Sequence, residues 1–174
     1  HPDEAERDAR TVLVEQPGRG DVRLILVQAL LAQGREAEAD AELARIAPEE
    51  SASAPWATLR VAGAALEAGE SSAAIEILER GRSRHPKDLS LAIALGGLFE
   101  DAGRLEDALA VREAALRVEP GSAGLQNDGA WTLALLVRDL DRAQALAESA
   151  SRGLPEDPAI LDTLGAVRRA RENQ

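Results

Sequence analysis

The stretch from Leu95 to Pro120 reads LGGLFEDAGRLEDALAVREAALRVEP. Together with Leu91 just before it, Leu95, Leu98 and Phe99 recur at spacings of three and four, the period of one helix face. Gly103 breaks the run, and a glycine reaches the left-handed conformation at little cost, so it ends a helix cleanly. A second helical run follows, with Ala108 and Ala115 seven residues apart and so on one face. Pro120 closes it, because proline cannot continue a helix. The stretch predicts helix, turn, helix, turn. Gly96, Ala108 and Ala115 mark places where helices cross closely, since larger side chains there would push them apart.

The same beat runs through the chain. Ala5, Ala39, Ala74, Ala108 and Ala143 lie 34, 35, 34 and 35 residues apart, and a fixed period of this size is the mark of a helical repeat. Gly34, Gly69 and Gly103 keep the same interval. The fourth unit carries Arg138-Asp139 where a glycine is due. Pro17, Pro86, Pro120 and Pro155 close units, while Pro48 comes three residues early and the loop PEESASA makes up the difference. Leu24, Val27, Leu30 and Leu31 show helical spacing in the first unit, and no stretch sustains a period of two.

Composition agrees. Hydrophobic residues make up 45% of the 174 and aromatic ones only 2%, so the core must be built from Ala, Leu, Val and Ile. Ala and Leu lose little freedom in a helix. The formal net charge of −11 repels nucleic acid. The short basic clusters Arg80, Arg82, Arg84 with Lys87, and Arg168, Arg169 with Arg171, read as charged helix ends, where cations are favoured. No apolar run approaches the roughly 20 residues of a membrane span.

This pattern resembles the tetratricopeptide repeat (TPR) family. In the third unit Leu95-Gly96, Phe99, Gly103, Ala108, Ala115 and Pro120 carry the likeness. The second offers Val61-Ala62, Ala65, Gly69, Ala74, Gly81 and Pro86; the first offers Leu26-Val27, Leu30, Gly34 and Ala39 before a shortened second helix. The fourth offers Ala130, Leu133, Ala143, Ala150 and Pro155. The resemblance implies an all-α fold, a right-handed superhelical solenoid of about ten helices. It divides 1–174 as one array: a lone second helix at 1–19, repeats at 20–54, 55–88, 89–122 and 123–157, and a terminal helix at 158–174. The chain lacks methionine and opens on His1, so it reads as a processed product or an excised piece. Val12, Leu13 and Val14 are apolar for an outer cap, so more repeats or another domain are expected before residue 1.

Chemistry-bearing residues are scarce. There is no cysteine, and of two histidines His1 is terminal and His85 sits in a turn, so neither a nucleophilic triad nor a zinc site can be assembled. The pairs Glu106-Asp107 and Asp139/Asp141 fall at helix starts, where negative charge is stabilising. No phosphate-binding glycine motif occurs, and NDGAW lacks the alternating oxygens of a calcium loop. No catalytic residue, cofactor or metal is expected; the chain reads as no enzyme.

The resemblance further implies that first helices line a concave groove. Its walls would include Asp21, Leu24, Gln28, Leu31 and Ala32, then Trp56, Leu59, Gly63, Leu66 and Glu67. Ser90, Ile93, Gly97, Glu100 and Asp101 would follow, then Asn127, Trp131, Ala134 and Leu135, with Asp162 and Arg169 from the last helix. The groove would be apolar with an acidic edge, with Trp56 and Trp131 as anchors and shallow hollows at Gly63 and Gly97. The Lys, Arg and Asn set with which some relatives hold a C-terminal carboxylate is missing. A neutral, apolar or basic protein segment is therefore expected as partner, not an acidic one. Self-association through end helices is a further expectation. The leading function is a protein–protein interaction scaffold. The alternative is a substrate-presenting region of a larger glycosyl- or sulfo-transferase, or of an envelope or secretion machine. The later repeats look bacterial, which implies the cytoplasm or the periplasm.

Overall fold

A computed structural model describes residues 1–46 and 54–173. All regular structure among them is helical, in ten helices. These are α1 (Pro2–Glu15), α2 (Gly20–Ala32), α3 (Glu36–Leu43), α4 (Pro55–Glu67), α5 (Ser71–Arg84), α6 (Leu89–Asp101), α7 (Leu105–Val118), α8 (Ala123–Leu135), α9 (Leu140–Gly153) and α10 (Pro158–Glu172). The expected all-α helix-turn-helix repeat is what the chain forms. The early Pro48 and the rest of its loop up to Ser53 lie outside the described residues. The shortened second helix of the first unit is α3, eight residues against 14 in α5, α7 and α9.

The helices fall into two compact units, His1–Pro86 and Lys87–Gln174. In the first, α1, α2 and α3 pack in sequence and α4 pairs with α5. Its core gathers Ala9, Leu26, Val27, Leu30, Ala39, Leu43 and Ala57. In the second, α6 pairs with α7, α7 with α8, α8 with α9, and α10 packs on both α8 and α9. Leu109, Ala130, Leu133, Ala143, Ala147 and Val167 form much of its core. The periodic alanines explain the fit: Ala39, Ala74, Ala108 and Ala143 are all fully buried, so the helices approach to the width of a methyl group.

One turn is built four times. Gly34, Gly69 and Gly103 hold φ of 74°, 79° and 70° after α2, α4 and α6. In each case the glycine N–H and the next N–H fold back onto carbonyls of the last helical turn, as in Arg35 to Leu30 at 2.9 Å and Arg104 to Phe99 at 2.7 Å. The fourth copy makes the same bonds, Val137 to Ala134 at 3.1 Å and Arg138 to Leu133 at 3.0 Å. The residue in the glycine's place is thus Val137, at φ 50°, and not Arg138-Asp139 as the spacing suggested. Asp139 is left-handed too, at φ 44°.

Gly96 has a different neighbour from the one expected. A β-carbon there would meet the Arg112 side chain at 3.3 Å, so its smallness seats an arginine and not a helix backbone. Asp88, Ser122 and Asp157 cap α6, α8 and α10 through side-chain oxygens.

Candidate functional site

Three first helices of the second unit, α6, α8 and α10, converge on a cleft of about 290 Å³. Glu100 enters from α6, Asn127, Asp128 and Trp131 from α8, and Ala159, Asp162 and Thr163 from α10; Arg112 reaches in from α7. Arg112 is the organising residue. Its side chain is only 8% exposed, and its guanidinium donates to Glu100 Oε2 at 2.6 Å, to the Asp128 carbonyl at 3.2 Å and to the Thr132 hydroxyl. Thr132 in turn donates to the Asp128 carbonyl at 2.9 Å. This web ties α6, α7 and α8 together beneath the cleft.

Two acceptors are left over. Glu100 Oε1 and Asn127 Oδ1 are shut off from solvent and accept no hydrogen bond. Burial raises the Asp128 carboxyl above the usual range; Arg112 opposes that, Glu100 adds to it, and a hydrogen bond with the Asn127 side chain offsets part of it. The lining is mixed: carboxylates and an amide together with the half-buried Trp131 and the exposed Ala159.

The groove residues expected from sequence are distributed as follows. Glu100, Asn127, Trp131 and Asp162 meet in this cleft. Gly97 faces open space, Ile93 is about half exposed and Asp101 is exposed. In the first unit Leu24 is buried and belongs to the core, so it is not available to a partner. Gln28 and Glu67 are exposed, Leu31 and Leu59 half-buried, and Gly63 faces open space. Trp56 packs against the core of its unit.

Arg112, Asp128, Ala159 and Thr163 were missed. Arg112 carried a readable signal. It sits between Ala108 and Ala115 on the buried stripe of a second helix, where Leu43, Leu78 and Ala147 stand in the other repeats. A charge on such a stripe must find a partner or unfold the repeat. Asp128 and Thr163 hold the same place in successive first helices, where Ala94 stands on α6, but no residue type recurs there to announce a site.

A second cleft, about 340 Å³, lies in the first unit between α1, α2 and α3 and is lined by none of the expected groove residues. Arg23 on its wall is already held by Glu42 at 2.5 Å and by the Pro17 carbonyl at 2.6 Å. Among the described residues no group of three or more His, Cys, Asp or Glu is arranged to hold a metal ion. No helix among them is long and apolar enough to cross a membrane.

The tetratricopeptide repeat family profile matches residues 1–62. It covers the lone second helix, the first repeat and the start of the second repeat, whereas the signature residues are most complete in the third repeat. No curated protein matches the chain. Solved structures share its fold. YrrB, described as a TPR protein with an unusual peptide-binding site, superposes with a TM-score of 0.67 at 14% identity, over 92% of this chain and 82% of that one. MamA from Desulfovibrio magneticus RS-1 gives 0.68 at 18% identity, over 88% and 85%. A tetratricopeptide repeat protein from Parabacteroides merdae gives 0.57 at 18% identity, over 96% and 64%. At these identities the likeness is one of fold.

Proposed function

We propose that this chain is a protein-interaction scaffold that binds a segment of a partner protein along its first helices and performs no catalysis. The observation that carries this reading is the cleft of the second unit. Three successive first helices converge there around a half-buried tryptophan and two buried acceptors with no partner. Folding alone gives no reason to leave such acceptors unpaired, because each costs about 1–3 kcal/mol. A bound segment that donates to them recovers that cost. Large aromatics beside polar groups are the usual anchors of such contacts. The fold shared with YrrB, whose description includes a peptide-binding site, supports the same use of the repeat. The partner is neutral, apolar or basic, because Glu100, Asp128 and Asp162 in the cleft and the exposed Asp101 make the first helices of the second unit acidic.

The test is a display library of random peptides screened against the wild-type chain and against Trp131→Ala. Enriched peptides should lose about tenfold or more in affinity for the variant. A library that yields no binder, or binders indifferent to position 131, would remove the cleft as the docking site. Sedimentation at several concentrations, run in parallel, shows whether a second copy of the chain competes for the same surface.

A further inference from the structure

We infer that the cleft of the second unit receives the cationic side chain of an arginine or lysine from the partner segment. This rests on the scaffold reading and makes its chemistry specific.

The charge balance is the first reason. Glu100, Asp128 and Asp162 face one cation, Arg112, and that guanidinium is already committed to Glu100 Oε2, the Asp128 carbonyl and the Thr132 hydroxyl. The second reason is independent of charge. Glu100 Oε1 and Asn127 Oδ1 belong to residues that line the cleft and accept nothing in the free chain, so a partner group that reaches them as these side chains adjust must donate. An ammonium offers three N–H donors and a guanidinium five, while a carboxylate or an aliphatic chain offers none. The third reason is the apolar part of the lining. Trp131 offers an aromatic surface suited to a cation, and the cleft also holds Ala159, which suits a methylene stem. A metal ion is a poorer occupant, because these carboxylates are not grouped in ligating geometry. An acidic side chain would add to an existing excess of negative charge. Asp128 is already disfavoured as an anion by burial and by Glu100, and a neighbouring cation relieves both.

The experiment uses the full chain, isotopically labelled, and a set of capped heptapeptides that are identical except at the centre. The central residue is arginine, lysine, citrulline, leucine or glutamate; citrulline keeps the shape of arginine without its charge. Binding is read from the Trp131 indole and Asn127 amide cross-peaks. The arginine and lysine peptides should shift both, and should bind about tenfold tighter than the citrulline peptide. Asp162→Asn, at an exposed rim position, should narrow that gap without altering the thermal melt, and Asp128→Asn should narrow it further. Equal affinity for arginine, citrulline and leucine peptides would end the cationic subsite and leave the scaffold reading standing. Absence of any shift at Trp131 and Asn127 at millimolar arginine peptide would also end it; the display screen then decides the scaffold reading separately.

Discussion

Gly81 on α5 lies against Thr58 on α4 so closely that a β-carbon at position 81 would stand 2.5 Å from the threonine methyl carbon. Thr58 cannot easily turn away. It is fully buried, and its hydroxyl donates to the Ala54 carbonyl at 3.1 Å. Position 81 corresponds by the repeat period to Ala115 and Ala150, so this is a site where even the small residue of the other repeats is too large. Gly81→Ala should gain up to ~1 kcal/mol of helix propensity and lose about 1–3 kcal/mol to overpacking. The clash is the larger effect, so the urea midpoint should fall. Adding Thr58→Ala should restore part of the loss. A midpoint raised by Gly81→Ala alone would contradict the close crossing of α4 and α5.

Val137 stores strain that its counterparts do not. A β-branched residue at φ 50° is disfavoured by about 1–2 kcal/mol, whereas Gly34, Gly69 and Gly103 occupy the same turn freely. Val137 is about half exposed, so little packing is at stake. Val137→Gly also makes the unfolded chain more flexible, which costs roughly 0.5–1 kcal/mol. The net expectation is a stabilisation of up to about 1 kcal/mol, seen as a higher melting temperature. The same change at the helical Val167, fully buried in the core, should be strongly destabilising and serves as the contrast.

The parts of the fold that could be read in advance are those in which a repeat forces one residue type. Ala39, Ala74, Ala108 and Ala143 had to be small because their helices touch, and three of the four turns needed a glycine because their φ is positive. The fourth turn was misplaced because Val137 meets a backbone requirement with a β-branched residue, and the repeat spacing pointed to Arg138-Asp139 instead. Leu24 looked like a groove residue by its place in the repeat, yet the core of its unit closes over it. The cleft was half legible. Glu100, Asn127, Trp131 and Asp162 lie on first helices at regular offsets, but Arg112 comes from a second helix and joins them only through its long side chain. Unpaired acceptors such as Glu100 Oε1 are a property of three-dimensional packing, and no spacing announces them.

Glu6 gives the first unit an acid-sensitive clasp. Its carboxylate accepts from Arg10 at 2.8 Å, from Gln33 at 2.9 Å and from Arg35 at 2.7 Å, joining α1 to the turn between α2 and α3. The bond from Arg10 above all, then those from Gln33 and Arg35, lowers its pKa from 4.5 to about 2. A carboxyl whose folded pKa is depressed contributes stability above its unfolded pKa, and that stability is lost as pH falls through the folded value. The contribution should therefore be complete above pH 4.5 and fade toward about pH 2. Glu6→Gln should be less stable than wild type at neutral pH, and the two should converge in acid. Asp21, held near a pKa of about 2 by Arg19, titrates in the same window and would leave a residual acid dependence in the variant. Parallel stability curves for wild type and Glu6→Gln from pH 7 to 2 would show that the clasp contributes nothing.

Arg112 and Glu100 form the most buried ion pair of the second unit among the described residues, with side chains 8% and 19% exposed. The Coulombic gain at 2.6 Å is offset by desolvation of both ions, so the intact pair adds little net stability. Removing one partner is another matter. Arg112→Met keeps the length of the side chain over Gly96 but strands Glu100 as an anion in a site that already holds Asp128. The expected loss is about 3–5 kcal/mol, the range for a broken buried pair, because Glu100 Oε1 is already shut off from solvent. Glu100→Gln in the same background removes the stranded charge and should recover more than half of that loss, whereas Glu100→Gln alone should cost less than Arg112→Met. Denaturant unfolding of the four proteins as a double-mutant cycle measures the coupling. Additive single effects would mean that the two side chains do not sense each other, and the web that ties α6, α7 and α8 beneath the cleft would have to be redrawn.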